Sequence, residues 1–140
     1  MENAASNKAV VEHFVHDSMN PSTGQWNLDV IGEVFDVDRY FSHSWGAGLA
    51  ETGARMAAFF AAFELIETLS EDFVAEGEFV VHRATHRVRH VGESLGVAPT
   101  HRVLTLQRVE MWRVEDGKII EHWGGEGDTR NLYDQITSPS

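Results

Sequence analysis

Apolar residues recur at Val10, Val11, Phe14 and Val15, a helical spacing, so residues 4–14 are expected to form an amphipathic helix that covers something. The run Asn20-Pro21-Ser22-Thr23-Gly24 breaks it, after which Asn27 can cap a short helix carrying Leu28, Ile31, Val34 and Phe35 on one side. A third helix is expected from Thr52, which supplies an N-cap hydroxyl, and its stripe of Met56, Phe59, Phe60 and Phe63 is read as core.

Beyond Phe63 the texture changes to β-branched and aromatic residues broken by glycine-containing turns. Strands are expected over 66–75, 79–91, 102–114 and 118–123, with tight antiparallel hairpins at Glu76-Gly77-Glu78 and Glu115-Asp116-Gly117. The stretch 92–100 holds two glycines and a proline, too irregular for a strand, and is expected to form the lip of a pocket. Leu132, Tyr133 and Ile136 indicate a short closing helix, with 137–140 frayed. Helices followed by an antiparallel meander make an α+β order, in which the N-terminal helices lie on one face of a curved sheet and the concave face encloses a cavity.

Composition narrows what that cavity serves. The 140 residues make one domain, 1–140, large enough for a continuous core. A hydrophobic share of 42% is ordinary for a soluble protein, and the apolar stretch from Met56 to Phe63 is far short of a membrane span. No secretory signal is read at the N-terminus, so cytoplasm is the expected compartment. With no cysteine, disulfides, thiolate nucleophiles and cysteine-ligated zinc are excluded. A net charge of -11 opposes nucleic-acid binding.

Several segments, in order along the chain, carry a family resemblance: YFSH at 40–43, FVAEGEFVVHR at 73–83, THR at 85–87, GVAPT at 96–100 and RVEDGKIIEHW at 113–123. The last is close to RxxDGKIxEHW, and together they resemble the SnoaL-like polyketide (ester) cyclases of the nuclear transport factor 2-like superfamily over most of residues 8–136. The resemblance implies a cone-shaped α+β barrel, commonly a homodimer, with a deep pocket for hydrophobic ligands. It also implies cyclisation by an intramolecular aldol step without metal or cofactor. The acid/base aspartate of such cyclases lies just beyond the last strand; here Gly124 takes its place, with Glu126 and Asp128 following. Ser42 stands near the family's asparagine, and Glu110 replaces a histidine.

The residues themselves suggest chemistry. Strand alternation puts His82, Ala84, His86, Val88 and His90 on one face and Arg83, Thr85, Arg87 and Arg89 on the other. Burying an unpaired arginine row is costly, so the histidine face is read as the cavity side and His86 as a candidate catalytic residue. His82 and His90 are about 26 Å apart along an extended strand, too far to share one ion, and no metal is expected. The turn at 115–117 sets a register in which Val114 faces Lys118, Trp112 faces Ile120 and Glu110 faces His122. Glu110 can then orient His122 as a general base, or the two form a structural ion pair. His43, Trp45, Trp112 and Trp123 are candidate pocket walls, and Asp128, in a glycine-rich acidic segment, can reach the pocket mouth.

The expected function is acid/base chemistry on a carbonyl, polyketide-like substrate, by aldol cyclisation or isomerisation without a cofactor. The alternatives are an epoxide-opening hydrolase of the same fold, and a non-catalytic module for hydrophobic-ligand binding or dimerisation. The expected partners are a small hydrophobic molecule and a second copy of the chain, held through the outer arginine face, with neither nucleic acid nor membrane.

Overall fold

Asn3 opens the first helix: its Oδ1 accepts the backbone N–H groups of Ala5 and Ser6 at 2.8 and 3.3 Å. The computed structural model describes residues 3–20, 25–26 and 30–139. Helix α1 (Ala4–Ser18) runs past Phe14 and buries Val11, Phe14 and Val15. Its Asn7 amide donates to the Gly77 carbonyl at 2.9 Å, tying the helix to a hairpin turn of the sheet. Strands β1 (Met19–Asn20) and β2 (Gln25–Trp26) pair with each other. Helix α2 (Ile31–Val34) follows; Asn27 and Leu28, expected at its start, lie outside the described residues.

Strands β3 (Phe41–Ser42) and β4 (Ala47–Gly48) are too short to register in the sequence pattern. Helix α3 (Leu49–Ala62) begins earlier than expected, after an extended Gly48, so Thr52 is an interior, buried residue and not a cap. No loop separates α3 from the next strand, because Phe63 both ends the helix and begins β5 (Phe63–Glu76). Strands β6 (Phe79–His90), β7 (Val103–Glu115) and β8 (Lys118–Gly124) complete the meander, and α4 (Glu126–Thr137) closes the chain. Among the described residues six strands form one sheet in the order β4-β3-β8-β7-β6-β5, antiparallel except where β3 runs parallel to β8. Register shifts in β5 between Leu65 and Glu67 and between Thr68 and Ser70 bend that strand, as extra residues on one side of a ladder do. This α+β architecture is a curved open sheet with the helices on its concave side.

Alternation divides the faces. His82, Ala84, His86, Val88 and His90 are buried, whereas Arg83 and Arg87 are exposed and pair with Asp72 and Glu67 on β5. The terminal hairpin differs from the expected register. Asp116 (φ 51) and Gly117 (φ 75) alone form the turn, so Glu115 faces Lys118, and a bulge beside Arg113 moves the ladder on by one more residue. Trp112 therefore faces His122, and Glu110 faces Gly124. Beyond the bulge the combined slip is even, so Glu110, Trp112 and His122 keep the expected face, whereas Ile119 takes the inward place expected of Lys118.

Two buried histidines of β6, His82 and His86, are expected to make the fold acid-sensitive. Burial, aided by the charge of Arg108, lowers His86 to about 4 from an ordinary 6.5. Burial also lowers His82, against the opposing hydrogen bond to Glu71. Above pH 6.5 neither the folded nor the unfolded chain is charged at His86, and the group has no effect. Below 6.5 the unfolded chain takes up a proton that the folded one refuses, and stability falls until the folded value near 4 is reached. The slope is about 1.4 kcal/mol per pH unit for each such group. The urea midpoint is therefore expected to drop between pH 7 and pH 4.5, and to drop less in His86→Gln, whose amide can keep the bond to Thr68. Equal midpoints at the two pH values in the wild type would refute this account of His86.

Candidate active site

Between α3 and the concave face of the sheet lies a cavity of about 330 Å³. Phe14 and Phe35, in edge contact at 4.9 Å, close one end; Leu106 and Trp112 of β7 and Leu132 of α4 supply further wall. Met56, Phe59 and Phe60 of α3 face the cavity and are only partly buried. The stripe read from sequence as core also walls the cavity: Phe63 is buried in the core with Met56 and Phe59 packed against it, and all four residues line the space. Its apolar spacing is the same in either case.

A polar cluster interrupts these walls. Arg108 and Glu110, two apart on β7, share its inner face, and Arg108 Nη2 donates to Glu110 Oε2 at 2.6 Å. The other carboxylate oxygen lies 3.2 Å from His122 Nε2 on β8. Burial alone would push the Glu110 carboxyl up. The charge of Arg108, and then the hydrogen bond and charge of His122, outweigh burial and hold it at about 2. An ionised carboxylate only accepts, so His122 Nε2 carries the proton between them. His122 Nδ1 is 2.9 Å from Ser42 Oγ, which also accepts the Trp45 backbone N–H at 3.3 Å. Both ring nitrogens are therefore engaged, and in neutral His122 the lone pair on Nδ1 accepts the Ser42 hydroxyl. The ring packs against Trp45 and Trp112, with centroids 5.9 and 5.6 Å away.

Tyr40 adds a donor. Burial, and then the nearby Glu110 charge, push its hydroxyl well above the ordinary phenol range, so it keeps its proton in the cavity wall. Two glycines make room for the carboxylate. Gly124 has φ 102, and a Cβ there would lie 2.6 Å from the Val109 carbonyl oxygen; one on Gly125 would lie 3.2 Å from Glu110 Oε1. An aspartate at position 124 would require β8 to move away from β7.

The structure brings together Glu110, His122, Trp45 and Trp112 at the cavity. His86 is on the inner face but fully buried away from the cavity lining, with Nδ1 2.9 Å from Thr68 Oγ1. His43 and Trp123 are corrected to the outer face. They stack on each other at 4.9 Å, and His43 bonds Glu121 at 2.7 Å. The reason is alternation: with His122 inward, its neighbour Trp123 must point outward. The Asp128 side chain lies outside the described residues. Arg108 and Tyr40 were missed. The signal for Arg108 was its two-residue spacing from Glu110 and Leu106 on one strand face. Among the described residues no three His, Cys, Asp or Glu side chains gather in a way that could hold a metal ion, and no helix is long and apolar enough to cross a membrane.

Comparison with known proteins agrees with this architecture. AclR from Streptomyces galilaeus, provisionally assigned as a hydroxylase, is 26% identical with a TM-score of 0.74, over 99% of this chain and 85% of its own. TsrD from Streptomyces laurentii is 22% identical with a TM-score of 0.75, over 99% and 100%. A SnoaL-like polyketide cyclase, also provisionally assigned, from Jannaschia sp. CCS1 is 21% identical with a TM-score of 0.71, over 98% and 95%. No curated protein matches the sequence significantly. The pattern of the SnoaL-like polyketide cyclases matches residues 9–136, and the chain belongs to that family.

Proposed function

We propose that the protein is a cofactor-independent enzyme that removes a proton next to a carbonyl of a polyketide-like substrate, leading to ring closure or isomerisation. The observation that carries this reading is the ionised Glu110 carboxylate held by Arg108 and His122 in an apolar cavity. A module that only bound hydrophobic ligands would gain nothing from such a group, since an apolar set of the same volume is often as stable or more so.

The geometry favours a division of labour that reverses the one expected from sequence. The His122 Nε2 proton points to Glu110 and Nδ1 is taken by Ser42, so the ring has no free lone pair for substrate. Glu110 lines the cavity and can accept the proton, while His122 positions it. Arg108 and Tyr40, in the lining with Glu110, carry donor groups suited to a developing enolate oxygen. A substrate carbonyl that draws Arg108 from Glu110 would raise the basicity of the carboxylate as the reaction begins.

Exchange of the α-hydrogens of ethyl benzoylacetate, an aryl β-keto ester, for deuterium tests the proton-removal step. Glu110→Gln is expected to slow protein-catalysed exchange by roughly two to four orders of magnitude. His122→Gln, which can still offer an amide N–H to Glu110, should lose less, roughly tenfold to a hundredfold. Because Arg108 and His122 hold the Glu110 carboxyl at about 2 in the unliganded protein, kcat/KM for exchange should stay flat from pH 8 down to pH 5. Undiminished exchange in Glu110→Gln would remove the carboxylate from the chemistry.

Homodimerisation belongs to the same proposal, on a different basis from the arginine row, whose Arg83 and Arg87 are matched within the chain by Asp72 and Glu67. Phe41, Phe79 and Val109 are exposed on the outer face at 41%, 42% and 57%. Sedimentation at micromolar concentration is expected to give a dimer that Val109→Glu dissociates. A monomeric wild type at that concentration would end the idea.

A further inference from the structure

Leu95 lines the cavity mouth yet is 51% exposed. It sits in the 92–100 connection, where Ser94 and Val97 exchange backbone hydrogen bonds of 3.0 and 2.9 Å across a two-residue turn. Both turn residues are left-handed, Leu95 at φ 54 and Gly96 at φ 79. Turns of this kind favour Asn, Asp and Gly; glycine adopts the conformation freely, whereas a leucine is strained by its Cβ. Leu95 is therefore unfavourable twice over, in its backbone and in its exposed apolar side chain.

The connection cannot easily relax. Val91 and Gly92 both donate to the Ala62 carbonyl, at 2.8 and 3.1 Å, and a Cβ on Gly92 would lie 2.7 Å from the Ala61 oxygen. Glu93, just before the turn, accepts the Gly96 N–H at 2.8 Å. On the returning arm, His101 donates to the His90 carbonyl at 2.9 Å, and Thr100 Oγ1 is 3.1 Å from His90 Nδ1. An asparagine or glycine would close the same hairpin without strain. What leucine adds is apolar surface held at a fixed place on the rim, beside the charged lining residues Arg55 and Glu93.

We propose that Leu95 is a ligand-contacting, specificity-determining residue, a preformed apolar lip that covers the outer end of the bound molecule. This rests on the reading of the cavity as a site for a carbonyl compound and narrows its class. The ligand would be elongated, with its carbonyl end at Arg108 and Glu110 and an apolar ring or chain reaching the mouth. A rigid lip suits such a ligand because no ordering cost is met on binding.

Acedan, a naphthyl methyl ketone whose fluorescence reports the polarity around it, is a suitable probe. Wild type, Leu95→Asn and Leu95→Met would be titrated with it, and their thermal midpoints measured. Leu95→Asn is expected to bind acedan roughly five- to tenfold more weakly. The same variant should unfold about 3 °C higher, because the strain is relieved. Leu95→Met should bind as the wild type does. Stability and affinity moving in opposite directions is a result that a purely structural leucine would not give. Unchanged affinity in Leu95→Asn, or a lowered midpoint, would overturn the lip while leaving the cavity reading intact. Absence of saturable acedan binding to the wild type would overturn both.

Discussion

A carboxylate enclosed by aromatic walls stays ionised only while its charge is met from within, and much of this site is arranged around that requirement at Glu110. Arg108 meets one oxygen from the same strand face and His122 the other from the adjacent strand. His122 is in turn held by Ser42, which β3 delivers because Ser42 and His122 are direct partners in the parallel pairing of β3 with β8. The backbone bond from His43 N–H to the His122 carbonyl, 2.8 Å, fixes that junction. Removing one partner would leave a buried charge unmatched, typically a larger loss than the pair contributes when complete. The two-residue strand β3, negligible as secondary structure, is thereby essential to the site.

The same requirement accounts for Gly124. By resemblance, this position is where an acid/base aspartate is expected, and glycine there reads from sequence as a missing function. In the folded chain Gly124 is the cross-strand partner of Glu110, in a backbone conformation and a close approach to Val109 that exclude a side chain. Glycine at 124 and 125 lets β8 turn away tightly while the Glu110 carboxylate occupies the adjoining space. The carboxylate that lines the cavity comes from the neighbouring strand instead.

How much of this could be read in advance depended on which periodicity carried the information. Alternation placed His82, His86, Glu110, Trp112 and His122 on the inner face, and it survived a wrong hairpin register because the slip was even. It was not applied to Trp123, which cannot share a face with His122, or to His43, two residues beyond the outward Phe41; both were read as walls for their aromatic rings. Arg108 was passed over although its two-residue spacing from Glu110 puts it on the same face of β7. Thr52 resembled a cap because hydroxyl residues favour helix starts, but tertiary pairing of β3 with β4 sets the helix start at Leu49 instead.

The cavity itself was the least legible feature, because a helix that packs tightly and one that walls a pocket present the same apolar stripe. The difference lies in what faces it. Across from Met56, Phe59 and Phe60 the sheet sets Arg108, Glu110 and His122 among the apolar Leu106 and Trp112. Aromatic rings cannot collapse onto such a cluster without desolvating it further, so the space between remains open and α3 forgoes part of the burial its sequence could provide. Full burial of a single large apolar side chain is worth about 1.5–3 kcal/mol, and Met56, Phe59 and Phe60, only partly buried, each contribute less than that. A molecule that covered Met56, Phe59 and Phe60 while satisfying Arg108 and Glu110 would add that burial and so stabilise the fold.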